Sequence, residues 1–304
     1  MNIFQKLKNV KKAYGILINS HVADEEQKLL SARLLVHNIT SKNEIRSFSE
    51  VEFKVFSQFG DDGIIQWLIN NLDIQNETFI EFGVQDYRES NTRFLMMNNN
   101  WSGFVMDGSE EFIRKIRNSE YFWKYQLSAE SVFIDCENIN NLISSQSFER
   151  EVGLLHIDLD GNDYWIWGKI DVIDPTIVIL EYNAVFGIER SITVPYDKDF
   201  QRTEAHHSNL YWGASLGALI QISNNKGYAF IGCNSAGNNA YFVRREKLNS
   251  VIKEISLEEG YVSSKLRDSR DENNRPTHLS GKDRIEAIRG MPVFNTTTKQ
   301  MEKL

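Results

Sequence analysis

Two short runs constrain this chain most: Phe79-Ile80-Glu81-Phe82-Gly83-Val84-Gln85-Asp86, and then Gly103-Phe104-Val105-Met106-Asp107-Gly108. Each reads as a short buried strand that ends in a loop carrying an acid or a glycine. An acid roughly 20 residues beyond the first strand–loop is the usual partner of ribose hydroxyls in a nucleotide-binding αβ unit. The first loop lacks the glycine-rich GxGxxG pattern, since Gly83 stands alone between Glu81 and Asp86. A pyrophosphate there would meet two carboxylates in place of bare amides. The two strands therefore predict a ligand with a ribose and a positive charge but no phosphate.

The length of 304 residues allows one large α/β domain with additions, or two small domains. A net charge of −8 argues against nonspecific nucleic-acid binding, which needs a basic footprint, although it leaves room for a local basic pocket. Cys136 and Cys233 form no CxxC pair, so neither a zinc site nor a disulfide framework is expected, and both read as reduced thiols. The chain has no apolar run of about 18 residues, so no membrane-spanning helix is expected. Met1 to Lys6 lacks the apolar core of a signal peptide, and a cytoplasmic location is the expectation.

Residues 1–54 read as a helical extension. Lys6, Lys8, Lys11 and Lys12 come first, and a basic membrane-surface helix is one reading of the first 15 residues. Asp24-Glu25-Glu26 then opens an amphipathic helix with Leu29, Leu30, Leu34 and Leu35, which would pack on the domain or join copies of the chain in a homo-oligomer. Residues 55–261 form the main domain. Asp61-Asp62-Gly63 starts a helix, and candidate strands follow at 78–82, 103–107, 131–134, 153–158, 176–181, 228–232 and 240–243. Helical patterns separate the first five strands, an insertion fills 184–212, and a helix runs from Ala214 to near Asn225. The last two strands read as a hairpin. The expected fold is α/β, a doubly wound, mostly parallel seven-stranded Rossmann-like sheet with an antiparallel edge. The tail, 262–304, reads as irregular structure on the acceptor side with one short helix near 281–289; its arginines are Arg267, Arg270, Arg275, Arg284 and Arg289.

In such a sheet, ligands bind at the carboxyl ends of the strands. Those ends carry Glu81, Gly83 and Asp86, then Asp107 and Gly108, Asp135 and Cys136, Asp158, Asp160, Asn162 and Asp163, and finally Glu181 and Asn183. One such acid is weak evidence, because aspartate caps many helices. Five consecutive strands ending in acids point to a site. A nucleoside with a cationic side arm suits such a lining, and S-adenosylmethionine, with its sulfonium, ammonium and adenosine, is such a ligand.

Asp158, Asp160 and Asn162 alternate as in a calcium loop, but Gly161 is misplaced for that frame and Tyr164-Trp165-Ile166-Trp167 follows in place of ligands. Two readings stay open. Asp158 with Glu181 would hold Mg²⁺ or Mn²⁺, or these acids position substrate hydroxyls and cap the next helix. His206 and His207 could take a hydroxyl proton, or they are a surface pair in a loop. Trp101, Trp123, Trp165, Trp167 and Trp212 could wall a sugar or base pocket, although core packing is the commoner fate of a tryptophan.

These residues resemble a class I S-adenosylmethionine-dependent methyltransferase of the FkbM-like kind. The likeness runs through Ser57-Gln58-Phe59-Gly60-Asp61-Asp62-Gly63, Phe79-Ile80-Glu81-Phe82-Gly83, Ser90-Asn91-Thr92-Arg93-Phe94-Leu95 and Trp101-Ser102-Gly103-Phe104. It continues through Ile157-Asp158-Leu159-Asp160-Gly161-Asn162-Asp163-Tyr164-Trp165, Glu181-Tyr182-Asn183, Gly213-Ala214-Ser215-Leu216, Lys226-Gly227-Tyr228 and Asn239-Ala240-Tyr241-Phe242-Val243-Arg244. It covers roughly residues 55–245.

The resemblance implies that Glu81 and Gly83 would form the loop under the methionine part, with Gln58, Asp86 and Asn91 also on the cofactor. Asp107 and Gly108 would meet the ribose, Asp135 and Cys136 the adenine edge, and Asp158 the methyl donor. Many relatives methylate hydroxyls in surface-polysaccharide or natural-product synthesis. An O-methyltransferase acting on a nucleotide-linked or glycan-linked sugar is therefore implied. Apart from the resemblance, arginine suits bidentate phosphate contacts, so Arg270 and Arg289 of the tail are expected on a phosphate-bearing acceptor, a nucleotide sugar, with Asn183 also on the substrate, or the arginines only pair with acids such as Asp268, Asp271 and Glu272. The FkbM pattern has a Glu-Gly-His-Glu-like run after strand four, and here Asp160-Gly161-Asn162-Asp163 stands in its place. The general base is thus left among Asp158, Asp160, His206 and His207. An NAD-dependent sugar oxidoreductase using Asp107, and a non-catalytic module of the same fold, are the alternatives.

Overall fold

The computed structural model describes residues 24–304, so the basic segment with Lys6 to Lys12 lies outside the described residues. Helix α1 covers 24–40 of them. The sheet strands are β1 (Thr78–Phe82), β2 (Ser102–Asp107), β3 (Leu127–Ser131), β4 (Glu151–Ile157), β5 (Asp174–Glu181), β7 (Tyr228–Cys233) and β8 (Asn239–Arg244). Between them lie α2 (Asp61–Asn71), α3 (Arg93–Asn99), α4 (Glu110–Arg117), α5 (Glu120–Lys124), α6 (Ile139–Ser145), α7 (Asp163–Lys169) and α9 (Leu216–Asn225). The insertion supplies β6 (Ile192–Thr193) and α8 (Arg202–Ala205), and the C-terminal part supplies α10 (Leu257–Gly260), α11 (Lys282–Glu286), β9 (Pro292–Asn295) and β10 (Gln300–Lys303).

The large sheet has the order β3-β2-β1-β4-β5-β8-β7. Strands β1 to β5 are parallel to one another. Strand β8 is antiparallel to both β5 and β7. The reversed strand is therefore internal and the edge strand β7 runs with the others, which corrects the expected antiparallel edge. Apolar residues alternate between the faces. Ile80, Phe82, Phe104, Val178 and Leu180 pack with Ile139, Ile166, Trp167 and Leu219 of α6, α7 and α9. Phe79, Val105, Ile177 and Ile179 pack with Ile64, Leu68, Leu95 and Ile116 of α2, α3 and α4. Both faces being covered is why these strands read as continuous apolar runs. No described helix is long and apolar enough to cross a membrane.

Three expectations shift. Strand three lies at Leu127–Ser131 and not at 131–134, because Leu127 and Ala129 alternate inward as on an edge strand. The apolar run that drew the expectation turns away, burying Ile134 and exposing Phe133. The tail is not merely irregular: β9 and β10 pair with each other, and β9 pairs with β6 of the insertion. Phe186, Ile192, Leu210, Tyr211, Ile288 and Val293 form the core beneath this second sheet. A two-stranded hairpin alone is marginal, so it needs the strand borrowed from the insertion. Finally, α1 buries Ala32 and Ile39, whereas Leu30, Leu34 and Leu35 face outward. Its anchor is Glu25, 2.9 Å from Arg93 at the head of α3. The Arg93 guanidinium is stacked 4.2 Å from the Phe56 ring and 4.7 Å from the Tyr121 ring.

Candidate active site

The chain order reverses between β1 and β4, which opens a crevice at their carboxyl ends. The loop that follows β1 is held in an uncommon shape. Gly83, Gln85 and Tyr87 all have positive φ, at 74°, 48° and 62°. Gly83 is required twice over: a Cβ there would sit 1.8 Å from the Asp158 carbonyl oxygen, and its φ favours glycine. Tyr87 is fully buried, and its hydroxyl lies 2.8 Å from that of Thr92. A cavity of about 140 Å³ lies above, walled by Gln58, Asp86, Asn91, His156, Asp158 and Asn239.

Register places Glu81 beside His156 on the neighbouring strand. Both are buried, and His156 Nδ1 lies 2.9 Å from Glu81 Oε1. Glu81 also accepts from Ser90 Oγ at 2.6 Å, from the Asn91 amide at 2.9 Å and from the Thr92 amide at 3.2 Å. Burial alone would raise Glu81, but the hydrogen bond and charge of His156, with the Ser90 and Thr92 hydroxyls, bring its carboxyl below the ordinary range. Burial alone would lower His156, but the hydrogen bond and charge of Glu81, then Asp158, raise it. Glu81 thus holds the Asn91 and Thr92 amides of the loop that leads into α3.

One strand over, Asp107 accepts from the Gln85 amide at 2.7 Å and from the Ser109 amide at 2.8 Å, which ties the β1 and β2 loops together. Gly108 adjoins the Phe133 ring, which is 53% exposed. Asp135 accepts from the amides of Glu137 and Asn138 at 2.7 and 2.8 Å, a local turn cap ahead of α6. The Cys136 amide donates to the Tyr196 hydroxyl at 3.1 Å, so the insertion reaches this strand end as well.

Asp158, Asp160 and Glu181 each bring a carboxylate oxygen within 4.8 Å of the others. Burial, then the Asp160 carboxylate, pushes Asp158 up to about 7. Burial, then Asp158, raises Glu181 well above its ordinary range. Burial and the nearness of like charge thus act on both carboxyls in the same direction, toward the protonated form. Asp160 is committed to Arg202 of the insertion, Oδ1 to Nη1 at 2.8 Å. The expected Mg²⁺ or Mn²⁺ pair, Asp158 and Glu181, thus faces a third carboxyl that is already ion-paired to Arg202, and Glu181 Oε2 is buried without a hydrogen-bond partner among the described residues.

The rest of the run after β4 seats the insertion and its own turn. Asp163 accepts from the Leu159 and Gly161 amides at 2.9 and 3.1 Å. Asn162 donates to the Asp197 carbonyl and Trp165 to the Val194 carbonyl, at 2.8 and 3.0 Å. Gly161 makes room for the Phe200 ring.

Several expected residues lie elsewhere. His206 hydrogen-bonds Ser208 at 2.8 Å and stacks on His207, and neither histidine bonds to Asp158, Asp160 or Glu181. Asn183 is buried and donates to the carbonyls of Leu210 and Trp212, both at 2.9 Å, so it fastens the insertion and leaves no side-chain edge for a substrate. Arg289 is 70% exposed and paired with Glu286, and Arg270 bonds Asn274 within a surface hairpin. Sequence reasoning passed over His156, Arg202 and Phe133. A histidine two residues before a strand-end aspartate was a signal for the first. Nothing in sequence spacing marked Arg202, which meets Asp160 only through the fold of the insertion.

No family model and no curated protein matches this chain. Among solved structures it is similar to the N-terminal domain of EvdMO1 with SAH bound, at 11% identity over 62% of this chain and 80% of that one, with a TM-score of 0.40. It is also similar to the pyocyanin biosynthetic protein PhzM, at 13% identity over 57% and 52% of the two chains, with a TM-score of 0.35. A third similar structure is M. capricolum TrmK in complex with S-adenosyl-homocysteine, at 8% identity over 62% and 70%, with a TM-score of 0.35.

Proposed function

We propose that the chain is an S-adenosylmethionine-dependent methyltransferase acting on a hydroxyl. The observation that carries this is Glu81. Its carboxylate takes up the Asn91 and Thr92 amides just ahead of α3, so a pyrophosphate entering the crevice beside β1 would meet a buried carboxylate where it needs free amides. A dinucleotide is disfavoured there, and a cationic nucleoside without phosphate suits a wall that carries Asp86 and Asp158. Asp107 keeps a lone pair on each oxygen for the ribose hydroxyls, and the exposed Phe133 ring beside Gly108 offers a face to the base.

Methyl transfer is an in-line displacement: the acceptor oxygen bonds the methyl carbon while the carbon–sulfur bond breaks to leave the neutral thioether. The hydroxyl proton must go to a base. The Asp158–Glu181 pair, with Asp158 near 7, is poised for that at neutral pH. A second depression, lined by Asp160, Phe200, Gln201, Arg202 and Asp268, adjoins this end. With the Arg202 guanidinium taken up by Asp160 and Asp268, the carboxylates, amide and aromatic ring suit an uncharged polyol, such as a glycan hydroxyl, better than a phosphate. The sugar-assembly setting rests on the sequence resemblance.

Calorimetric titration with S-adenosylhomocysteine and with NAD⁺ tests the reading. S-Adenosylhomocysteine binds and raises the melting temperature by mass action. Asp107→Ala weakens it by about 2–3 kcal/mol, or about 30- to 150-fold. Binding of NAD⁺ in its place, or unchanged affinity in the variant, defeats the assignment.

A further inference from the structure

The strand-end acids carry a concentration of charge that Arg202 answers. Asp158, Asp160 and Glu181 converge within 4.8 Å. Carboxylates that close repel one another, and such a set ordinarily gathers protons or a divalent ion. Among the described residues Arg202 alone pairs with the set, and it is only 23% exposed. Its guanidinium is fixed by three further contacts. Nε donates to the Asn209 carbonyl at 3.0 Å, the group lies 4.6 Å over the Trp212 ring, and Nη2 is 3.8 Å from Asp268. Insertion and tail together thus hold a cation against the loop after β4.

We propose that Arg202 is a positioning residue that serves as the counter-cation of this carboxylate set, standing in for the divalent ion that the acids would otherwise recruit. It engages Asp160 Oδ1 at 2.8 Å, so this member of the converging set already faces a guanidinium where an ion would otherwise sit. Arginine suits this task, since its planar fork can engage two carboxylates while stacking on an aromatic face. The proposal deepens the methyltransferase reading, because it makes the proton-accepting pair independent of metal.

The test uses Mn²⁺ alone as probe, with free ion followed by electron paramagnetic resonance on the full chain. Wild type and Arg202→Lys leave the Mn²⁺ signal unbound at equal protein and metal concentrations. Arg202→Gln binds one equivalent at least about tenfold more tightly than wild type, since three carboxylates then lack a cation. Adding Asp160→Asn to Arg202→Gln abolishes the gain, an effect a merely structural arginine would not produce. Arg202→Met, which keeps the stem over Trp212, replaces the glutamine variant if that variant melts early. Wild type binding Mn²⁺ as tightly as the variants, or a folded variant with no gain, overturns the proposal. S-Adenosylhomocysteine titration of the same samples reports on the methyltransferase reading separately, and its failure leaves the Mn²⁺ result standing.

Discussion

Replacing Glu81 by glutamine should be among the costliest isosteric changes in the chain. The carboxylate is 2% exposed and accepts from two hydroxyls, two backbone amides and His156. A glutamine amide must turn its NH₂ toward one set of these donors. Facing Ser90 and Thr92 is the milder choice, because hydroxyls can rotate to accept, but the Thr92 amide then keeps only Ser90 Oγ, at 3.1 Å, as acceptor. The ion pair with His156 is lost in either orientation. Breaking a buried pair from one side costs about 3–5 kcal/mol, a large share of a typical domain stability of about 5–15 kcal/mol.

The loss should depend on pH in a definite direction. His156 is raised in the folded state, so its contribution is fully present below its unfolded pKa and disappears as pH rises through the folded value. The variant should therefore lose more at pH 6 than at pH 8. Urea unfolding followed by tryptophan fluorescence measures both, and Glu81→Gln with His156→Gln in a double-mutant cycle isolates the pair. A loss under about 1 kcal/mol at pH 6 would show that the buried carboxylate does not organise this end of the sheet.

Gly83→Ala should cost more than about 3 kcal/mol, because the new methyl collides with the Asp158 carbonyl and φ is 74°; a melt within a degree or two of wild type would contradict the close approach. Asp62 and Asp163 are buried and pushed up to about 6, mainly by burial, so they hold protons when folded that unfolded carboxyls have already released. Lowering the pH from 8 to 5.5 should therefore raise stability by about 2 kcal/mol, with His156 acting in the same direction, and a urea midpoint that is flat or higher at pH 8 would refute it. Arg270→Ala and Arg289→Ala should leave S-adenosylhomocysteine affinity and stability within about 0.5 kcal/mol of wild type, since both side chains bond only locally on the surface; a larger effect in either would place the tail arginine in the site.

The strand-end acids were visible in the sequence because parallel strands with both faces covered are apolar to their last residue, so that Glu81, Asp107, Asp158 and Glu181 stand out against them. What each acid does was not visible. Asp135 and Asp163 cap local turns, Glu81 organises a buried loop, and Asp158 faces Glu181 across the strand ends, yet all are carboxylates after apolar runs. The difference lies in which amides face them, and that is decided by loop conformation. Strand direction was hidden for a similar reason: β7 and β8 read as a hairpin whichever of them enters the sheet. The position of β3 was misread because an edge strand alternates, whereas the apolar run just after it belongs to the core. Arg202 was invisible because its partner Asp160 lies 42 residues away.

The internal placement of β8 bears on how the polypeptide is made. Strand β5 is apolar and buried along Ile177 to Leu180, and the strand that covers its outer edge spans Asn239–Arg244. A ribosome that has delivered β1 to β5 has therefore released five parallel strands of one sheet with one open, greasy flank, and must then extrude the whole insertion, α9 and β7 before that flank closes. During this interval the nascent chain carries the kind of unpaired edge that invites pairing with a neighbouring chain. Fragments ending anywhere between 182 and 238 should inherit that exposure permanently, and for recombinant work the first useful C-terminal boundary falls after Arg244.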